Sequence, residues 1–104
     1  MAQYFVPAPV MTTQINLGAD QNLKQQLPLQ GEKNVLTLVV TQENKSHIVF
    51  ASTMAGLLAG NGIDLTLDTY TFVYDTNSRW FMVYTTTVGS LLVAKAFVNG
   101  GPAN

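Results

Sequence analysis

The chain has no cysteine, one histidine, one tryptophan and few charges. Each shortage removes a class of protein. Without cysteine there is neither a disulfide scaffold nor a thiolate metal site. Charged residues make up 11% of 104 positions, with a net charge of −1, against about 25% in a typical soluble domain. The five basic residues are scattered, whereas nucleic-acid binding needs clustered Lys and Arg to neutralise phosphates. The basic amphipathic helix of a membrane-surface binder is missing as well. No apolar run approaches the ~20 residues of a membrane span, and the most apolar late segment, 91–98, is interrupted by Lys95. The opening MAQYFVPAPV has no basic start and no long apolar core, unlike a secretory signal. These absences lead us to expect no cofactor, no metal, no nucleic acid and no membrane partner. The chain reads as made and kept in a cytoplasm, or assembled from there into something larger.

What is present is 47% hydrophobic, with Thr, Asn, Gln and Ser supplying the polarity. Residues 1–34 hold three of the four prolines and most of the glutamines. Proline fixes φ and biases its predecessor toward extended backbone. This part reads as an extended N-terminal arm with an edge strand near 13–17, the alternative being a partly disordered terminus. Tyr4, Phe5, Val6 and Val10 are its apolar anchors, since a solvated tail gains nothing from them. Residues 20–27 (DQNLKQQL) fit one or two helical turns capped by Asp20, or equally a strand or loop. A β core follows over 35–98, and 99–104 reads as a flexible end.

Within the core, VLTLVVT (35–41) and HIVFA (47–51) flank a polar turn and read as a hairpin. STMAGLLAGNG (52–62) is either a short helix or a glycine-rich loop laying Leu57 and Leu58 over an open sheet end. IDLTL (63–67) alternates, which sets Ile63, Leu65 and Leu67 inward. Then comes YTFVYDTNSRWFMVY (70–84), two aromatic and β-branched runs about the polar turn 75–79, a second expected hairpin. A last strand spans 91–98. Six to seven short strands with regular turn signals define an all-β class, a compact antiparallel sandwich or small barrel. In 70–84 both faces are apolar. Tyr70, Phe72, Tyr74, Trp80, Phe81, Met82 and Tyr84 are therefore expected in the core or at an oligomer interface, with another copy of the chain as the favoured cover. The arm and the 53–58 segment are the alternatives.

Catalytic material is sparse. As a general base, His47 would need a nucleophile and an orienting partner within hydrogen-bond reach. Ser46 and Ser52 lie near it in sequence, without a nucleophile-elbow pattern. Asp64 and Asp68 share a face if their segment is a strand, a weak carboxylate pair. With Asn61 they resemble calcium ligands, yet Leu65 and Leu67 stand where a calcium loop wants oxygen donors. Trp80 and its aromatic neighbours also suit a sugar-stacking platform.

The segment NVLTLVVTQENKSHIVF…GNGIDLTLDTYTFVYDTNSRWFMVY resembles the small β modules of tailed-bacteriophage virion proteins. The resemblance covers residues 34–84 and is carried by Tyr70-Thr71-Phe72-Val73-Tyr74-Asp75 with Trp80 and Val83. The family's turn reads D-G-T-N-W, whereas this chain has Asp75-Thr76-Asn77-Ser78-Arg79-Trp80, without the glycine. The resemblance implies a non-enzymatic, usually trimeric virion component, either a head decoration protein or a fibre or receptor-binding tip. The expectation drawn from it is a capsid decoration (cement) protein. It would trimerise through its β core and dock its arm, through Tyr4, Phe5, Val6 and Val10, on the major capsid protein.

Overall fold

In the computed structural model, which describes residues 9–30 and 34–100, the chain folds into eight strands. They are β1 (Met11–Leu17), β2 (Asn22–Gln26), β3 (Asn34–Asn44), β4 (Ser46–Ala51), β5 (Ile63–Asp64), β6 (Thr69–Tyr74), β7 (Trp80–Thr85) and β8 (Leu91–Val98). The β-branched and aromatic runs form them because such side chains pack well on a pleated surface. One sheet has the order β1-β8-β3-β6 and the other β2-β7-β4-β5. Every strand pair is antiparallel. The two sheets form a sandwich around one buried cluster that includes Ile15, Leu38, Ile48, Phe81, Val83 and Leu92.

Consecutive strands change sheets at every step except from β4 to β5. This is the strand order of the eight-stranded, double-sheet jelly roll. It corrects both expected hairpins. Lys45, in the left-handed region at φ 54°, turns the chain from β3 into β4 of the opposite sheet. β6 and β7 likewise part company: β6 pairs with β3, while β7 lies between β2 and β4. An inter-sheet corner and a hairpin share the same local pattern of apolar runs about a polar turn. Only the choice of partner strand separates them. The corner 75–79 is a short 3₁₀ turn closed by the Asp75 carboxylate, which accepts from the Asn77 N–H at 2.8 Å.

Other boundaries moved too. The β core begins before residue 35, because β1 and β2 supply an edge strand to each sheet and Ile15, Leu17 and Leu27 are buried. Residues 22–26 form the strand rather than the helical turns. The expected strand 63–67 shrinks to Ile63–Asp64. Its partner β4 offers only His47 and Ile48, and the chain then leaves for the other sheet. Leu65 is buried as expected, whereas Ile63 and Leu67 are exposed. At the far end, Asn99 is tied to β3: its N–H donates to the Val35 carbonyl and its side chain accepts from the Val35 N–H, both at 2.9 Å.

Candidate functional site

The 70–84 stretch has two different neighbourhoods. β6 is an edge strand with clean alternation: Tyr70, Phe72 and Tyr74 turn inward, while Thr71 and Val73 face solvent. β7 is central and buried on both faces. Its inner residues Phe81 and Val83 join the main core. Its outer residues Met82 and Tyr84 form a second cluster with Val49 and Leu57, against which Ala51 and Trp80 pack.

The cover on that outer face is the chain's own connection 52–62. This segment leaves β4 at Ala51 and must return to pair β5 with the start of β4. It therefore runs back across the outside of the sheet. A single 3₁₀ turn, Met54–Gly56, is capped by Thr53, whose hydroxyl oxygen accepts from the Gly56 N–H. Leu57 is thereby laid on β7, while Leu58 remains exposed. Farther along, the Gly60 N–H donates to the Tyr84 hydroxyl oxygen at 3.1 Å.

Among the described residues, two concave features bear on function. The first is a groove of about 290 Å³ along the free edge of β6, lined by Phe50, Thr71, Phe72, Val73, Tyr74 and Ser78. Its floor is aromatic: the rings of Phe50 and Phe72 lie 5.0 Å apart and those of Tyr70 and Phe72 stack at 5.9 Å. Tyr74 closes one end by donating to the Pro28 carbonyl. Burial raises the Tyr74 pKa above 10.0, and the nearby Arg79 charge opposes this more weakly.

The second feature is a hollow of about 440 Å³, to which Leu65 contributes beside Glu43, Lys45, His47, Asp64 and Thr66. His47 Nδ1 lies 2.7 Å from an Asp64 carboxylate oxygen. The His47 ring also stacks on Tyr84, 5.0 Å between centroids. Asp64 thus orients His47, and the direct pairing of β5 with β4 is what sets them opposite each other. That pairing could not be read from residues 17 apart in sequence. Ser46 does not join them; its hydroxyl donates to Glu43 at 3.2 Å. Asp64 and Asp68 have separate local roles, since Asp68 accepts from the Thr69 N–H. Among the described residues no group of three or more His, Asp or Glu is placed to hold a metal ion.

Of the residues singled out in the sequence, Tyr74, Phe81, Met82 and Tyr84 are buried within the chain, and Tyr70, Phe72 and Trp80 are half-buried. Trp80 leans on the Leu57 cluster instead of offering an open stacking platform. Tyr4, Phe5 and Val6 lie outside the described residues. Val10 is exposed, with its N–H donating to the Val98 carbonyl. Phe50 drew no notice in the sequence, although its place in β4 brings it to the groove. No helix among the described residues is long and apolar enough to cross a membrane. Comparison of the chain with protein-family models, with curated proteins and with solved structures finds no match.

Proposed function

We propose that the chain is a structural component of a bacteriophage virion. In this reading it is a capsid decoration protein that self-associates as a trimer and binds the head surface through the major capsid protein. The observation that carries the proposal is the outer side of the 52–67 segment. Having buried Leu57 and Leu65, it turns Met54, Leu58, Ile63 and Leu67 to solvent, each more than half exposed. Apolar side chains gathered on one segment of a charge-poor chain favour burial against another protein. The subunit contact is thus assigned to this segment and not to the outer face of β7, which the chain covers for itself. Jelly rolls serve as viral shell and lectin domains among other roles, so the fold agrees with the proposal without deciding it.

Residues 2–9 precede β1 and are assigned to capsid docking, with Val10 at the junction. Deleting 2–9 leaves all eight strands in place. The truncated protein is expected to melt like the full chain and to lose binding to undecorated heads in co-sedimentation. Undiminished binding would remove the arm from the mechanism.

The hollow around the His47–Asp64 pair favours a second reading, a receptor- or carbohydrate-binding tip. Carboxylates, hydroxyls and an oriented imidazole beside a tyrosine suit sugar hydroxyls. His47→Ala should then abolish a saturable glycan response. A flat titration of the unaltered protein across host glycans would discard this reading.

A further inference from the structure

We propose that the free edge of β6 is a strand-docking site for an extended segment of another protein. That segment carries apolar side chains at alternate positions and a basic residue at each end.

The edge is open on both layers. β6 ends its sheet, and no strand lies on its other side among the described residues. In the facing sheet, β5 pairs only with His47 and Ile48 of β4, so, among the described residues, 49–51 have no strand partner on this flank. The opposite flank differs. There Gln25 of β2 accepts from the Thr13 hydroxyl and donates to the Met11 sulfur, both at 2.9 Å, linking β1 to β2.

The groove beside β6 has the form of a missing strand. It takes side chains from both faces of β6, with Phe72 and Tyr74 on the inner side and Thr71 and Val73 on the outer. An added strand would set alternate side chains against Phe50 and Phe72 and the others beside Val73, which is 69% exposed. Main-chain hydrogen bonds would give affinity and the aromatic floor specificity, the logic of β-augmentation. Edge strands are ordinarily guarded by Lys, Pro or a bulge. The edge strand β2, on the opposite flank, carries Lys24, whereas β6 has no charge and no proline from Thr69 to Tyr74.

Charge selects the occupant. Asp68 and Asp75, both exposed, bracket the strand. If a second copy paired with β6 about a two-fold axis, Thr69 facing Tyr74, each Asp68 would face an Asp75, and like charges directly opposite are unfavourable. A strand with Lys or Arg at its ends turns both contacts attractive. Within the virion reading the occupant belongs to the capsid subunit; the edge itself does not depend on that reading.

The test uses the full chain, isotope-labelled, titrated with the peptide KVTVTVTK and followed by backbone amide shifts. We expect saturable shifts confined to β6 and the groove. The peptide EVTVTVTE should bind about tenfold more weakly, and a backbone N-methylated KVTVTVTK should not bind. Val73→Lys, at a solvent-facing position, should leave the melting temperature unchanged and abolish binding. No saturable shift at 69–74 would overturn the proposal, as would equal binding of the acidic or N-methylated peptides. Concentration-dependent protection of the β6 amides in the free protein would assign the edge to a second copy instead. None of these outcomes alters the arm-deletion result, so the two proposals fail separately.

Discussion

Gly62 shows how closely the 52–62 connection approaches the sheet. A Cβ there would collide with the Tyr84 hydroxyl and come within 2.9 Å of the His47 Cβ. Gly62→Ala is therefore expected to cost about 1–3 kcal/mol through forced displacement of the connection. At Gly18 the nearest atom to such a Cβ is 3.7 Å away on the Gln21 side chain, so Gly18→Ala should stay within about 0.5 kcal/mol of the unaltered protein. Denaturant midpoints of the two variants compare them directly. Tyr74 has a different signature. Its folded pKa lies above the ordinary 10.0 because burial disfavours the phenolate. The stabilisation this represents is fully present below pH 10 and is lost as pH rises through the folded value. Urea midpoints should fall across that alkaline window. Tyr74→Phe should flatten the fall attributable to this group, while lowering the midpoint at neutral pH because the Pro28 carbonyl loses its donor.

At the scale of elements, β7 owes its double-sided apolarity to the connection that crosses it. Leu57 is the contact that fixes this cover. Leu57→Ala should cost about 2–4 kcal/mol and open the 52–62 segment to limited proteolysis before global unfolding. Equal protease resistance in the variant would mean that the cover is held elsewhere. The last strand was fully legible in the sequence, its observed bounds coinciding with 91–98, because turn-forming residues punctuate both ends. β1 was legible for a similar reason. The two-sided apolarity read in YTFVYDTNSRWFMVY holds for β7 but not for β6, whose Thr71 and Val73 face solvent, and the partners of neither strand were legible. Which strand pairs with which depends on residues such as Asn34 opposite Tyr74 and Asn22 opposite Tyr84, contacts made across 40 and 62 positions. Local pattern carries no record of them. The His47–Asp64 pair stayed hidden for the same reason, and Ile63 and Leu67 misled because alternation persists where the strand has already ended.

For the whole molecule, two surfaces divide the proposed work. In the proposal, the exposed apolar residues of 52–67 would gather copies of the chain, and the arm with the β6 edge would meet the partner. A sandwich with 11% charged residues and four large apolar side chains on one segment gains by burying them, each contributing about 1–2 kcal/mol when withdrawn from water. Leu58→Lys combined with Leu67→Lys should therefore dissociate the assembly without lowering the melting temperature of the subunit, read by comparing sedimentation with circular dichroism. The most direct test of the central claim is the solution mass of the purified full chain, measured by light scattering on a sizing column. The account predicts a mass near three times 11.3 kDa. A single species at 11.3 kDa, unchanged across concentration, would contradict it.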